Sequence, residues 1–141
     1  MRSDSAVLEI YERVRWADVD SGGNLYFAAY TRFMDVAESE LFRSIGFPYR
    51  KLAELDIVLP RVHVEFDFFR PALLDDELTL RTRVGGVGVH SIRLHVEVSR
   101  AAETALLAEA TMVTACIDRA RKSVPLPDGM AAALRAIVQP G

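Results

Sequence analysis

RWADVDSGGNLYFAAY, residues 15–30, changes its hydrophobic period halfway along. Upstream and into it, residues 8–16 (LEIYERVRW) alternate. Leu8, Ile10, Val14 and Trp16 share one face, interrupted by Glu12, and Glu9, Tyr11, Arg13 and Arg15 share the other. A period of two predicts a half-buried strand. Downstream, Tyr26, Tyr30, Phe33, Met34, Ala37, Leu41 and Ile45 recur at steps of three and four. That spacing predicts an amphipathic helix over residues 26–45 with one buried stripe, ended by Gly46 with Pro48 just beyond. Arg32, Asp35, Glu38 and Arg43 are expected to point elsewhere, and Glu38 and Glu40 to be solvated or interface charges. Between the two periods stand Asp18, Asp20 and a Ser-Gly-Gly turn.

The rest of the chain is strand-like. Residues 57–69 alternate in their second part, with Val62, Val64, Phe66 and Phe68 against Arg61, His63, Glu65 and Asp67. Residues 78–84 (LTLRTRV) and 91–100 (SIRLHVEVSR) alternate again, the first ended by GGVG. RAAET is a hairpin turn, and residues 105–118 form a strand apolar on both faces, which belongs near the middle of a sheet. DGMAAALRAIV is a short C-terminal helix with Asp128 as its N-cap. Short turns make the later strands antiparallel. A single sheet needs its apolar face covered, and the one long helix is the element that can cover it. The expected fold is α+β: five to six antiparallel strands wrapped around one central helix, a single domain over residues 1–141.

Half of the 141 residues are hydrophobic, a quarter are charged, and the net charge is −3. This balance argues against nucleic acid or an anionic membrane as the main partner. No run approaches the roughly 18 apolar residues a membrane span needs, and residues 1–16 lack the apolar core of a signal peptide. Cys116 is the only cysteine and lies in an apolar strand, so it reads as an inert core residue, and the chain as cytoplasmic. The three histidines, His63, His90 and His95, have no metal-ligand spacing, and no metal is expected.

Three segments carry a family resemblance. RWADVDSGGNLYFAAYTRFMDVAESELFRSIG presents a strand, D-x-D-x-x-G, an aromatic pair, then Tyr and a helix; VEFDFFRPALLDDEL presents an aromatic strand, Arg-Pro-Ala and an acidic turn; RKSVPLP closes the last long strand. In this order they resemble the hotdog fold of the 4-hydroxybenzoyl-CoA thioesterase family and its acyl-CoA thioesterase relatives, over roughly residues 8–127. LPRVHVEFDFFRPA and RKSVPLP look most like the branch acting on 1,4-dihydroxy-2-naphthoyl-CoA.

The resemblance implies an acyl-CoA thioesterase for an aromatic acyl group. It implies that Asp20 is the catalytic carboxylate, as general base on water or as nucleophile. It implies that the oxyanion is bound by the main-chain N–H of Phe27 at a helix N-terminus, with Gly23 letting the backbone come close. Locally, an Asp before a helix is also an ordinary N-cap. Asp18 is read as structural and Asn24 as a helix cap. Tyr26 and Tyr30 are expected at the acyl site. His90, Ser91 and Arg93, with the basic run Arg119, Arg121 and Lys122, are candidates for the coenzyme A phosphates, the last three equally readable as a solvated turn. Phe27 stands where many acyl-CoA thioesterases of the family have His, which favours an aromatic acyl group. A subtype that uses a helix Glu would point to Glu38 or Glu40. No cofactor is expected, coenzyme A being part of the substrate. Family members pair their sheets edge to edge, so a homodimer or dimer of dimers (a homotetramer) is expected. The alternatives are an acyl-carrier-protein thioesterase and a non-catalytic acyl-CoA-binding protein. A hotdog hydratase would need a His near Asp20, and a hotdog regulator an added DNA-binding domain.

Overall fold

The computed structural model describes residues 8–139; the reading of residues 1–7 lies outside that range. The first alternation becomes strand β1 (Leu8–Arg13), whose even residues turn inward. Trp16 does not join that face. The chain leaves the strand after Arg13 and enters a 3-10 turn at Trp16–Asp18, which leaves the indole 79% exposed. A second 3-10 turn, Phe27–Ala29, leads directly into helix α1 (Tyr30–Ser44). Because the helical run starts one residue late, Tyr26 precedes it and is exposed, while Tyr30, Phe33, Met34, Ala37, Leu41 and Phe42 are buried. Each fully buried large side chain contributes about 1.5–3 kcal/mol. The helix ends on Ile45, with Gly46 at φ 85°; Gly46 N–H donates to Arg43 O and Phe47 N–H to Phe42 O. These two bonds form a Schellman ending, which needs the left-handed glycine.

A short helix absent from the sequence reading, α2 (Tyr49–Glu54), follows Pro48. Then come β2 (Arg61–Phe68), β3 (Glu77–Val87), β4 (Ser91–Arg100) and β5 (Leu106–Ala115), and finally α3 (Asp128–Ala136). Asp128 is the first helical residue and Pro127 the cap position, so the expected N-cap is displaced by one. The Gly85-Gly86 pair does not end β3: the strand continues through it with a register shift between Val84 and Gly86. A bulge absorbs the extra residue where a break was expected.

The five strands are all antiparallel, in the order β1-β3-β4-β5-β2. Leu78, Leu80 and Val84 of β3, Ile92, Leu94, Val96 and Val98 of β4, and Ala108, Ala110 and Met112 of β5 form one buried core with α1 and α3. The internal place of β5 agrees with its apolar pattern. β2 is an edge strand and pairs with β5, not with the next strand in sequence. Its alternation therefore produces little burial: Val62, Val64 and Phe68 are 62%, 42% and 50% exposed. The connection from β2 to β3 crosses one end of the sheet, and residues 69–76 come to lie beside the start of α1. Among the described residues no helix is long and apolar enough to cross a membrane.

Candidate active site

Residues 18–26 fold back on themselves as a small hairpin. Tyr26 N–H donates to Asp18 O (3.2 Å), Asp20 N–H to Asn24 O (2.9 Å), and Gly23 N–H to Asp20 O (3.0 Å). Gly23 has φ 79°, and a Cβ there would meet nothing within 4 Å. The glycine is thus required by the sign of φ and not by crowding from this chain.

The two aspartates occupy opposite environments. Asp18 is buried. Arg32 of α1 grips it through Nε–Oδ1 (3.0 Å) and Nη2–Oδ2 (2.7 Å), and Arg15 N–H donates to Oδ2 (2.8 Å). The Arg32 hydrogen bonds hold the Asp18 carboxyl below its ordinary pKa, against the opposing effect of burial, and the same bonds raise that of Arg32. Arg32 Nη2 also donates to Arg13 O (3.1 Å), so this one side chain ties the end of β1, the hairpin and α1 together. Asp20 is exposed. Its Oδ1 accepts from Gly22 N–H (2.9 Å) and Asn24 N–H (3.2 Å), and Oδ2 has no partner among the described residues. Asp20 therefore caps its own turn and not a helix, with one carboxylate oxygen left open. Asn24 caps no helix either; its backbone pairs with Leu73.

Six residues beyond the hairpin tip of Ser21 is Phe27, whose ring is 75% exposed. Its N–H opens the continuous helical run 27–44 and donates to no acceptor among the described residues. An unpaired N–H at the positive end of a helix is an anion-binding donor. Residues 69–76 complete the surroundings. Leu25 N–H donates to Ala72 O (2.8 Å) and Leu74 N–H to Gly23 O (3.0 Å). Arg100 fastens this loop from beneath, through Nε to Asp76 Oδ2 (2.8 Å) and Nη2 to Pro71 O (2.8 Å). Between the loop and the helix start opens an apolar cleft of about 300 Å³, walled by Phe27, Tyr30, Phe68 and Phe69 over Leu25 and Ala72, with Arg70 and Pro71 on its lining. The cleft-forming FDFFRPA segment was recognised in the sequence as a landmark, yet none of its residues was singled out for the site.

The other sequence-predicted residues lie elsewhere. β4 runs from Ser91 to Arg100, and Arg100 is at the cleft end. Ser91, at the far end, pairs with Ala115, and His90 O accepts from Cys116 N–H. Ten residues of strand put about 30 Å between the two ends. Arg93 is exposed near that far end. So is the turn bearing Arg119, Arg121 and Lys122, where Arg119 bonds Asp56 and Ala53 O, Arg121 has φ 65°, and Lys122 N–H bonds Asp118. One protomer brings Asp20, Gly23, Tyr26, Phe27 and Tyr30 to one end and leaves the proposed phosphate contacts at the other.

Glu38 corrects another expectation. It is 1% exposed, not solvated, and lies within the buried stripe of α1. Oε1 accepts from Tyr49 Oη–H, and Oε2 from Arg61 Nε (3.1 Å). Burial raises its pKa, with Tyr49 and Arg61 opposing; burial, then Glu38, raises that of Tyr49. With both oxygens engaged, Glu38 has none open to a substrate, unlike Asp20. Among the described residues no group of three or more His, Cys, Asp or Glu side chains is placed to hold a metal ion.

The sequence pattern of the thioesterase-like superfamily matches residues 14–134. The chain is 33% identical to an acyl-CoA thioesterase YbgC of Haemophilus influenzae, over 86% of this chain and 89% of that one. It is 32% identical to a 1,4-dihydroxy-2-naphthoyl-CoA hydrolase of Synechocystis, over 83% and 87%. The fold superposes on the crystal structure of a 1,4-dihydroxy-2-naphthoyl-CoA thioesterase from Synechocystis with a TM-score of 0.84, at 28% identity, covering 92% of this chain and 96% of that one.

Proposed function

The chain belongs to the thioesterase-like superfamily and has its hotdog fold, and from that premise we propose that it hydrolyses an aromatic acyl-CoA at the cleft beside Asp20. The observation that carries the reading is a carboxylate with a free oxygen on the hairpin, followed within seven residues by an unpaired helix-start N–H at Phe27, which lines an aromatic-walled cleft. The thioester carbonyl oxygen accepts from Phe27 N–H. Asp20 either takes a proton from water as it attacks the carbonyl carbon, or attacks that carbon itself to give a mixed anhydride that water then opens. In both routes the C–S bond breaks and the thiolate leaves. A thiolate is a good leaving group, so no strong acid and no cofactor is required. Charge developing on the carbonyl oxygen is stabilised by the N–H and the helix dipole.

The edge strand supports a two-chain site. β2 exposes Val62, Val64 and Phe68 along an unpaired edge, a liability that pairing with a second copy removes. Antiparallel β2–β2 pairing reverses the partner's sheet. It sets the end bearing His90, Ser91, Arg119, Arg121 and Lys122 of one protomer alongside the cleft end of the other. The phosphates of coenzyme A then meet cations that a single protomer holds about 30 Å away. A dimer by analytical ultracentrifugation is expected, and Val64→Asp is expected to give a monomer with at least tenfold lower activity; a fully active monomer contradicts the two-chain site.

The central test is release of free thiol from a panel of aryl- and alkyl-CoA thioesters, with Asp20→Asn alongside. The variant is expected to lose about 10³-fold in kcat, near 4 kcal/mol of transition-state stabilisation. Undiminished activity in Asp20→Asn removes Asp20 from the mechanism, and a wild type that turns over no thioester removes the enzyme reading.

A further inference from the structure

Backbone bonds hold the loop of residues 69–76 at its two ends. Phe69 N–H and Arg70 N–H donate to Leu107 O (2.8 and 3.1 Å); at the other end Asp75 N–H donates to Val14 O (3.0 Å) and Val14 N–H to Asp76 O (2.9 Å). The middle of the loop meets the hairpin that carries Asp20. Ala72 O accepts from Leu25 N–H, Leu74 N–H donates to Gly23 O, and Asn24 bridges Leu73 between them. Pro71, at the start of that middle, has no N–H with which to anchor itself.

Among the described residues, the hydrogen bonds that tie this middle to the body of the sheet run through one ion pair. Arg100, the last residue of β4, donates from Nη2 to Pro71 O (2.8 Å) and from Nε to Asp76 Oδ2 (2.8 Å). The same Asp76 Oδ2 accepts from Leu73 N–H (2.9 Å). One guanidinium thus spans the loop from residue 71 to residue 76, and one carboxylate oxygen carries the hold back to residue 73. A planar fork can serve two acceptors in fixed directions, which a lysine ammonium cannot. The guanidinium is also close to the cleft wall: burial raises the Tyr30 pKa, and the Arg100 charge opposes that rise. Neither Arg100 nor Asp76 lines the cleft. Their route to the chemistry is the hairpin. Gly23 and Leu25, the partners of the loop, flank Asn24, whose N–H donates to Asp20 Oδ1 (3.2 Å) and whose carbonyl accepts from Asp20 N–H (2.9 Å). Leu25 also stands two residues before Phe27.

Resting on the thioesterase reading above, we propose that Arg100 and Asp76 are positioning residues for hydrolysis: their fork sets the backbone of residues 71–74, and that backbone sets where the hairpin holds Asp20 relative to the Phe27 N–H. A loosened fork leaves both groups present but out of register, which lowers turnover more than binding.

The test is a double-variant cycle. For a thioester that the wild type hydrolyses, kcat and KM are measured for the wild type, Arg100→Lys, Asp20→Asn and the two combined, each shown to be folded by circular dichroism and urea unfolding. Arg100→Lys keeps the charge and loses the fork. It is expected to lower kcat about 30- to 100-fold, with KM within about threefold. In the Asp20→Asn background the same substitution is expected to cost less than about threefold, because the carboxylate whose place it sets is gone. Asp76→Asn is expected to show the same dependence on Asp20 with a loss of about tenfold, and it carries the cycle if Arg100→Lys does not fold. Equal losses in the two backgrounds mean a merely structural role and overturn the proposal. So does a folded Arg100→Lys protein with wild-type kcat, and so does a failure of both variants to fold, since the pair then supports the fold as a whole. A loss in Asp20→Asn with none in Arg100→Lys removes the clamp and leaves the thioesterase reading standing. Undiminished activity in Asp20→Asn, or no turnover of any thioester, removes the reading on which the clamp rests.

Discussion

Two arginine–carboxylate pairs fasten the central helix, Asp18–Arg32 near its start and Glu38–Arg61 near its middle, and they shift their carboxyl groups in opposite directions. The arginines are equally accessible, with side chains 32% and 34% exposed. The carboxyl groups differ in burial and in their donors. Asp18 receives both arms of a guanidinium and a backbone N–H, and hydrogen bonding outweighs burial. Glu38 receives one guanidinium nitrogen and a neutral phenol, with Asp35 nearby as a like charge, and burial prevails. The balance of donors against burial sets the sign: the Arg32 hydrogen bonds prevail at Asp18, and burial, the largest influence on Glu38, prevails there. The difference also follows their positions: the clamp with the lowered carboxyl pKa is at the hairpin that carries Asp20, and the more deeply buried one holds the start of edge strand β2.

The largest effect expected from breaking this comparison is at the hairpin. Asp18→Asn removes the ionised partner of Arg32 and one good acceptor of the Arg15 N–H. A loss of about 2–3 kcal/mol in stability by urea unfolding is expected, since a partly buried guanidinium keeps only the weaker ion pair with Glu12 (3.6 Å). Hydrolysis is expected to fall about 10²-fold, because Asp20 and Phe27 N–H are then held less well relative to each other and small misplacements are costly. Full activity in a destabilised Asp18→Asn protein would mean that the pair supports the fold alone. The sign with pH follows from the lowered pKa: the stabilisation is complete above the ordinary Asp value of about 3.9 and is lost as pH falls through the lower folded value. Acid unfolding of the wild type below about pH 4 is expected to be steeper than that of Asp18→Asn.

What could be read in the sequence was whatever is decided locally or by period. The switch from alternation to steps of three and four located β1 and α1, and the glycine pair located the turn, of which Gly23 alone needs a positive φ. Strand β4 falls where its alternation puts it. The failures are contacts between distant segments. Glu38 stands four residues after Met34 and three before Leu41, on the apolar stripe, but its charge argued for solvent. Its partners Tyr49 and Arg61, 11 and 23 residues away, give no local sign. Likewise, nothing in residues 69–76 states that β2 pairs with β5 and that the connection crosses the sheet end, so the cleft wall at Phe69, Arg70 and Pro71 went unread. The basic turn at Arg119 was found as a charge run, but its distance from Asp20 within one protomer is a property of strand direction, not of composition.

The smaller effect is at Glu38, and it tests the sign of the comparison more sharply than its size. A raised folded pKa means that the neutral form is the one the native state favours. The contribution of Glu38 to stability is therefore fullest below the ordinary Glu value of about 4.3 and is lost as pH rises through the higher folded value. Glu38→Gln keeps the shape, keeps an oxygen for Tyr49, and cannot ionise. Its stability relative to the wild type is expected to improve as pH is raised from about 4 to about 7, by an amount on the order of 1 kcal/mol, the opposite slope to Asp18→Asn. Urea unfolding of both variants and the wild type from about pH 2 to about pH 7 reads the two slopes, that of Asp18→Asn below about pH 4 and that of Glu38→Gln above it. Activity of Glu38→Gln is expected to stay within about twofold of wild type, because both carboxylate oxygens already serve Tyr49 and Arg61 and none faces the cleft. A loss as deep as that of Asp20→Asn would move the reacting carboxylate from the hairpin to the helix. If the wild type instead gains on Glu38→Gln with rising pH, the charge on Arg61 outweighs burial, and the two clamps differ only in place.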